Sequence, residues 1–401
     1  MSTANPASDH VYFPALDGLR FAAFGLVYLF HRGIPQVASA VDSVSRRIDM
    51  RLPTKGVAPW SLGDSVLNNG WIGVQLFFIL SGFLIATLLL REESRLGRID
   101  LRAFWMRRIL RIWPLYYLTV AITFFALPWL DGNWGSASTR SLWSQHLAPF
   151  LLFGGNWSMG LIGPVPYDAI SILWSVCVEE QFYLFCPLLI AFVPAKGRVP
   201  LVVALMILGV VGRVATAMAL ERRLVTPIFF QFSTITQLDT LLAGVLLALV
   251  RERRTPTSDD GSHPFAVVGL ILLWLGLLAK PDLGHGSVAG RALDFIAIWV
   301  AGVMTVAVAA RNRGFLPNAL SYGRIVWLGR ISYGLYMFHM IAFFLQRKLF
   351  DFVGWFPHQE ALAPFASAAL TVGLAAGSYY YLERPFLRRK MRWSRVASRP
   401  V

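Results

Sequence analysis

The sequence predicts an all-α polytopic membrane protein, a bundle of about ten transmembrane helices with both termini cytoplasmic. Three observations predict it. The 401 residues are 56% hydrophobic and 15% charged, with mean hydropathy +0.56, whereas a soluble domain sits nearer half apolar and a quarter charged. The apolar residues gather in runs of about 20, the length that crosses a bilayer as a helix. The basic residues concentrate on alternate connections, as the positive-inside rule requires. One integral-membrane domain over 1–401 accounts for the length, with a short N-terminal segment 1–13 and a basic tail 387–401.

Taken in order, spans are expected near 14–33, 71–90, 112–130, 172–194, 199–220, 228–250, 264–280, 291–310, 325–346 and 362–383. With the N-terminus inside, the inner connections and tail hold about 22 of the 37 Lys and Arg residues. The densest groups are Arg91, Arg95, Arg98, Arg102, Arg107, Arg108 and Arg111, and then Arg388, Arg389, Lys390, Arg392 and Arg395. Two outer connections are long. Residues 34–70 carry Arg46, Arg47, Arg51 and Lys55, against the trend, whereas 131–171 carry Trp134, Trp143 and Trp157 with little charge. That second loop reads as an interfacial aromatic belt, with a carbohydrate-stacking platform as the other reading.

The net charge of +15 is accounted for by orientation and anionic headgroups, not by nucleic acid. Cys177 and Cys186 lie nine apart on one expected helix, on opposite faces, and cannot bridge. The polar start and the absence of a small-residue cleavage site give no expectation of a secretory leader. The spacing of the histidines offers no metal site.

The chemistry is expected on the spans. The first, LDGLRFAAFGLVYLFH, has three ionisable residues, Asp17, Arg20 and His31. Eleven residues bring Arg20 and His31 to within ~20° of one face, about 16 Å apart along the axis. An ionisable side chain inside a membrane is costly and so a functional candidate. The second span holds Ser81 and Gly82, the glycine read as a point of close helix approach. Arg107, Arg108 and Arg111 stand at the inner start of the third span, where a cluster of guanidinium forks suits a multiply charged phosphate ligand. In the fourth span, Glu179 and Glu180 cannot both face lipid in ionised form. One of them turns inward, either to pair with an intramembrane arginine or to do acid–base work on a hydroxyl. Asp239, beside Gln237 and Thr240 on the sixth span, and Tyr336 and His339, which share a face of the ninth, are the candidates for holding an acceptor. Glu383–Arg384–Pro385 reads as a helix stop.

In order, LDGLR with Arg20 and His31, FFILSGFLI, RRILRIWP, WSVCVEEQFYL, QLDTLLAG and SYGLYMFH resemble the integral-membrane acyltransferase-three family of bacteria. The motifs run from about residue 16 to 340, and an ERP ending extends the likeness to 386. The resemblance implies a ten-helix enzyme of the bacterial inner membrane, moving an acyl group, usually acetyl, from acyl-coenzyme A to a hydroxyl. Its acceptors are mostly sugars of envelope polysaccharides or their lipid-linked precursors, and antibiotics in some members. It also implies that Arg20, His31, Arg108 and Arg111 are the critical residues. Many members carry a further hydrolase-like domain, and none is expected in the few residues past the last span.

Joined to the residue chemistry, this leads us to expect acetyl-CoA as donor, bound by Arg20, Arg107, Arg108, Arg111 and Ser81, with no metal. His31 is the expected base, with Glu179 and Glu180 as further catalytic candidates. A small secreted acceptor such as a macrolide, and a transporter or flippase, are the other readings.

Overall fold

The computed structural model describes residues 12–33, 62–253, 264–281, 283–311, 313–354 and 359–394. Arg46, Arg47, Arg51, Lys55 and Arg395 lie outside them. Among the described residues the elements are helices, and each expected span overlaps one of them. They are α1 (Pro14–Arg32), α2 (Ile72–Leu96), α3 (Leu101–Ala121), α4 (Trp174–Phe192), α5 (Ala195–Glu221), α6 (Thr234–Glu252), α7 (Pro264–Ala279), α8 (Val288–Ala309), α9 (Ser332–Val353) and α10 (Gln359–Ser378).

Among the described residues, seven stretches are long and apolar enough to cross a membrane: Gly63–Leu96, Leu101–Leu130, Asp168–Phe192, Ala195–Glu221, Pro227–Glu252, Val288–Ala309 and Ala361–Trp393. An eighth is reached if Gly323–Arg330 and α9, which meet at 69°, count as one bent span. The helix α7 is short for a span, and α1 is diluted by Asp17 and Arg20, the residues that make it interesting.

Large apolar side chains point outward where a soluble protein would hide them. Phe185 is 64% exposed, Leu272 63% and Phe365 75%, as a lipid-facing surface requires. The centre is α2, which packs against α1, α4, α6 and α8. It crosses α6 closely because Gly82 faces the Leu241 carbonyl and Gly244 faces that of Ile79, and a Cβ at either would collide with backbone. This matches the reading of Gly82.

Local chemistry sets the helix ends. Pro14 opens α1, where its missing N–H costs nothing, and Gly33 closes it in the left-handed conformation at φ 56°. The Asp100 carboxylate caps α3 by accepting from the Ala103 N–H at 2.9 Å. Three ion pairs, the first and last of them buried, tie the helices together: Arg107–Glu92 (2.7 Å) joins α3 to α2, Arg198–Glu93 (2.6 Å) joins α5 to α2, and Arg213–Asp239 joins α5 to α6.

The expected stop at Glu383–Arg384–Pro385 is corrected. A π-helical stretch, Tyr379–Glu383, carries the chain into a further helix, Arg384–Lys390, with Pro385 in its first turn. There the ring meets no i−4 hydrogen bond that it must break. The third helix also begins at Leu101, eleven residues before the expected span, so Arg107, Arg108 and Arg111 lie well inside it. Cys177 and Cys186 are buried and unbridged.

Candidate functional site

Three cavities lie end to end along α1. The first, at its N-terminal end, is lined by Tyr12, Asp17, Arg20, Arg108, Arg111 and Lys390, among others. The second shares Arg20, Leu84, Arg108 and Arg111 with the first and continues past Phe77, Phe78, Ser81, Glu179 and Tyr183. The third shares Val74 and Tyr336 with the second. It opens around His31 at the C-terminal end of α1, with Trp71, Gln75, Asp168, Trp174 and Gln237 in its walls. The face shared by Arg20 and His31 is therefore the face along which the cavities run.

The arginines divide sharply. Arg107 is spent: it is bound to Glu92 and donates to the Trp393 carbonyl at 2.8 Å, and it does not line the cavities. Arg108 and Arg111 do line them, and among the described residues neither forms an ion pair. Arg108 rests against the rings of Phe104 and Tyr183, at 5.6 and 5.8 Å, and its Nε has no hydrogen-bond partner. Uncompensated positive charge in a half-buried cleft is costly unless an anion neutralises it. Arg20 donates to Asp17 at 2.9 Å, and the Tyr12 hydroxyl donates to the same carboxylate at 3.1 Å. Asp17 thus aims Arg20 at the cavity shared with Arg108 and Arg111.

Of the paired glutamates, Glu179 faces the cavity. It accepts from the hydroxyls of Ser81 and Tyr183, each at 2.8 Å. Glu180 turns to α3 instead, accepting from the Trp113 Nε1–H at 2.9 Å. Ser81 is in the second cavity with its hydrogen committed to Glu179.

At the far end, backbone carbonyls select the histidine tautomers. His339 Nδ1 lies 2.6 Å from the Tyr336 carbonyl. A carbonyl only accepts, so Nδ1 carries the hydrogen and Nε2 the lone pair. His31 Nδ1 lies 3.0 Å from the Val27 carbonyl and 3.3 Å from that Nε2. Both are acceptors, so His31 carries its hydrogen on Nδ1, and its Nε2 is left as a free base. His339 is fully buried and braces His31. Tyr336, between the second and third cavities, bonds Ser175 at 2.7 Å and the Ile172 carbonyl at 3.1 Å.

Asp239 is elsewhere: it holds Arg213 and accepts from the Thr240 N–H, away from all three cavities. Trp143 donates to the Phe124 carbonyl and Trp157 to Gln181. These two loop tryptophans anchor 131–171 to the bundle and do not line the third cavity. In the same loop, burial beside Ser158 pushes the His146 imidazole below its ordinary value. Tyr12, Trp71, Gln75, Asp168, Tyr183 and Lys390 join the site without having been singled out as functional. Gln75 carried a signal, as a lone amide in the apolar run WIGVQLFFIL. Lys390 and Tyr12 gave none, because only the fold brings them to Arg20.

The architecture defines a multi-pass membrane protein that encloses a cationic cleft and a histidine-bearing cleft in line. The chain belongs to the acyltransferase-three family: the family model, described as an acyltransferase domain, matches residues 13–382. Among curated relatives, the chain is 28% identical over 395 residues to "Putative peptidoglycan O-acetyltransferase YrhL" of Bacillus subtilis, covering 94% of this chain and 55% of that one. It is 25% identical over 403 residues to O-acetyltransferase OatA of Staphylococcus aureus, covering 94% and 58%. The chain thus spans a little over half the length of these relatives. No solved structure matches.

Proposed function

We propose that the protein is a membrane O-acyltransferase of the bacterial inner membrane, carrying an acyl group, most simply acetyl, from acyl-CoA to a hydroxyl of a cell-envelope carbohydrate or its lipid-linked precursor. The observation that carries this reading is the pair of unpaired arginines, Arg108 and Arg111, at one end of a line of cavities that has a free imidazole nitrogen at the other. Coenzyme A is an anion with a long neutral arm. Its phosphates suit Arg20, Arg108, Arg111 and Lys390, because guanidinium forks bind phosphate oxygens bidentately. Its arm suits the second cavity, walled by Phe77, Phe78, Ile85 and Val176.

With the N-terminus in the cytoplasm, the donor enters from the side where acyl-CoA is made. The thioester then meets the acceptor hydroxyl beside His31. His31 Nε2 takes the hydroxyl proton as the oxygen attacks the thioester carbonyl; the new C–O bond forms, the C–S bond breaks, and coenzyme A leaves as the thiolate, which is then protonated. The thioester is already activated, so positioning and one base suffice. His339 holds the His31 tautomer that this step needs. Glu179, locked by two hydroxyls, orders the wall beside the arm. The name of the Bacillus subtilis relative, which mentions peptidoglycan, favours a glycan acceptor.

The test uses purified protein in nanodiscs with radiolabelled acetyl-CoA and candidate sugars. Acceptor-dependent release of coenzyme A that is lost in His31→Ala and Arg20→Ala supports the proposal. No binding or turnover of any acyl-CoA by folded wild-type protein would overturn it and favour transport through the same line of cavities.

A further inference from the structure

The third cavity contains more chemistry than a base requires. Gln75 is 2% exposed, and its orientation is dictated from behind: its Nε2 donates to Gln237 Oε1 at 2.9 Å, and Gln237 Nε2 donates to the Gln231 carbonyl at 2.7 Å. The relay leaves Gln75 Oε1 as an acceptor, and that atom has no partner. One helical turn earlier, Trp71 offers an indole N–H that also has none. Both residues line the cavity. A buried polar group left unpaired costs ~1–3 kcal/mol, so a fixed donor and a fixed acceptor, i and i+4 on one helix face, form a site that a ligand completes.

The walls narrow the ligand's class. Among the described lining, Asp168 is the charged residue, His31 being neutral, and no arginine or lysine is present. Aromatic area comes from Trp174 stacked on Phe232 at 4.6 Å and from Trp71 against Phe295.

We propose that Trp71 and Gln75, held by Gln237, form the acceptor subsite and select an uncharged glycan face that presents hydroxyl or amide groups, while Asp168 disfavours a carboxylate there. The assignment rests on the acyltransferase reading only for the word acceptor; the binding site stands on its own geometry. The hydrogen bonds are directional: the ligand must donate to Gln75 and accept from Trp71, as a sugar hydroxyl or an N-acetyl group can.

The experiment reads binding directly. Saturation-transfer NMR on the full chain in nanodiscs uses two probes, methyl N-acetyl-β-glucosaminide and methyl β-glucuronide, with wild type, Trp71→Phe and Gln75→Leu. Trp71→Phe keeps the ring and removes the N–H, and thermal melting monitors folding of both variants. The expected result is binding of the neutral glycoside in preference to the glucuronide, weakened about fivefold or more in each variant, as loss of a hydrogen bond predicts. Undiminished binding in both variants, equal binding of the glucuronide, or no glycoside binding by wild type would overturn the assignment. Failure of wild type to release coenzyme A from acetyl-CoA would count against the acyltransferase reading and leave this comparison to be decided by the NMR.

Discussion

The two ends of the cavity line differ in the kind of polarity they hold. At the N-terminal end of α1 the polar groups are full charges left unpaired, Arg108 and Arg111, beside an arginine aimed by Asp17. At the C-terminal end they are neutral dipoles of fixed sense, the Gln75 carbonyl oxygen, the Trp71 N–H and the His31 Nε2 lone pair, each oriented by a hydrogen bond or a ring contact behind it. A charge attracts an anion from many directions and tolerates a flexible partner; an oriented dipole accepts only a partner of complementary geometry. Under the proposed function the contrast becomes a division of labour: one end would secure a donor common to many enzymes, and the other would choose what is modified.

That comparison can be broken by substitution. The largest effect is expected at His31: His31→Ala lowers acceptor-dependent kcat by about 10²–10⁴, the usual contribution of a general base, with acetyl-CoA binding retained in equilibrium dialysis. Next is a change that touches neither end. Asp239→Asn strands the Arg213 guanidinium in the core and is expected to cost about 3–5 kcal/mol of stability, read as a lowered Tm, with the KM values of the remaining folded protein unchanged.

Smaller and more selective is Arg108→Ala. Loss of a charge-assisted hydrogen bond of about 1.5–3 kcal/mol raises the KM for acetyl-CoA roughly 10- to 100-fold. The KM for the acceptor does not move, and Arg111→Ala repeats the pattern. If acceptor KM moves instead, the ends are not separate.

The smallest effect lies outside the bundle. Burial depresses the His146 imidazole below its ordinary 6.5. The folded state therefore favours the neutral ring, and this contribution is complete above pH 6.5 and lost as the pH falls toward the folded value. A Tm profile in mild acid should flatten in His146→Gln, while acetyl transfer at neutral pH is unaffected.

Much of the bundle was legible, because apolar runs of helical length allow few alternatives in a bilayer. The alignment of Arg20 with His31 followed from helix geometry alone, and the cavities run where that alignment pointed. The partners were not legible. Arg107, Arg108 and Arg111 look equivalent in sequence, yet Arg107 is taken by Glu92 on the preceding helix, fifteen residues earlier, and the other two form no ion pair among the described residues. Glu179 and Glu180 are adjacent, and only packing against α2 and α3 sends one to Ser81 and the other to Trp113. Asp239 was read as a substrate ligand because its partner, Arg213, lies on another span. Gln75 carries no charge to mark it in the sequence, yet a buried amide with one unmet hydrogen bond is as informative as a charge. Pro385 misled because it falls in the first turn of a new helix that follows a π-helical stretch, a position where proline does not end a helix.

The central claim is that donor and acceptor meet inside the bundle from opposite faces. Proteoliposomes of one orientation test it directly, with radiolabelled acetyl-CoA confined to the face of the α1 N-terminus and methyl N-acetyl-β-glucosaminide to the other. The account predicts that label appears on the glycoside while coenzyme A is released on the donor side, and that both vanish in His31→Ala. Transfer only when donor and glycoside share one face would contradict it.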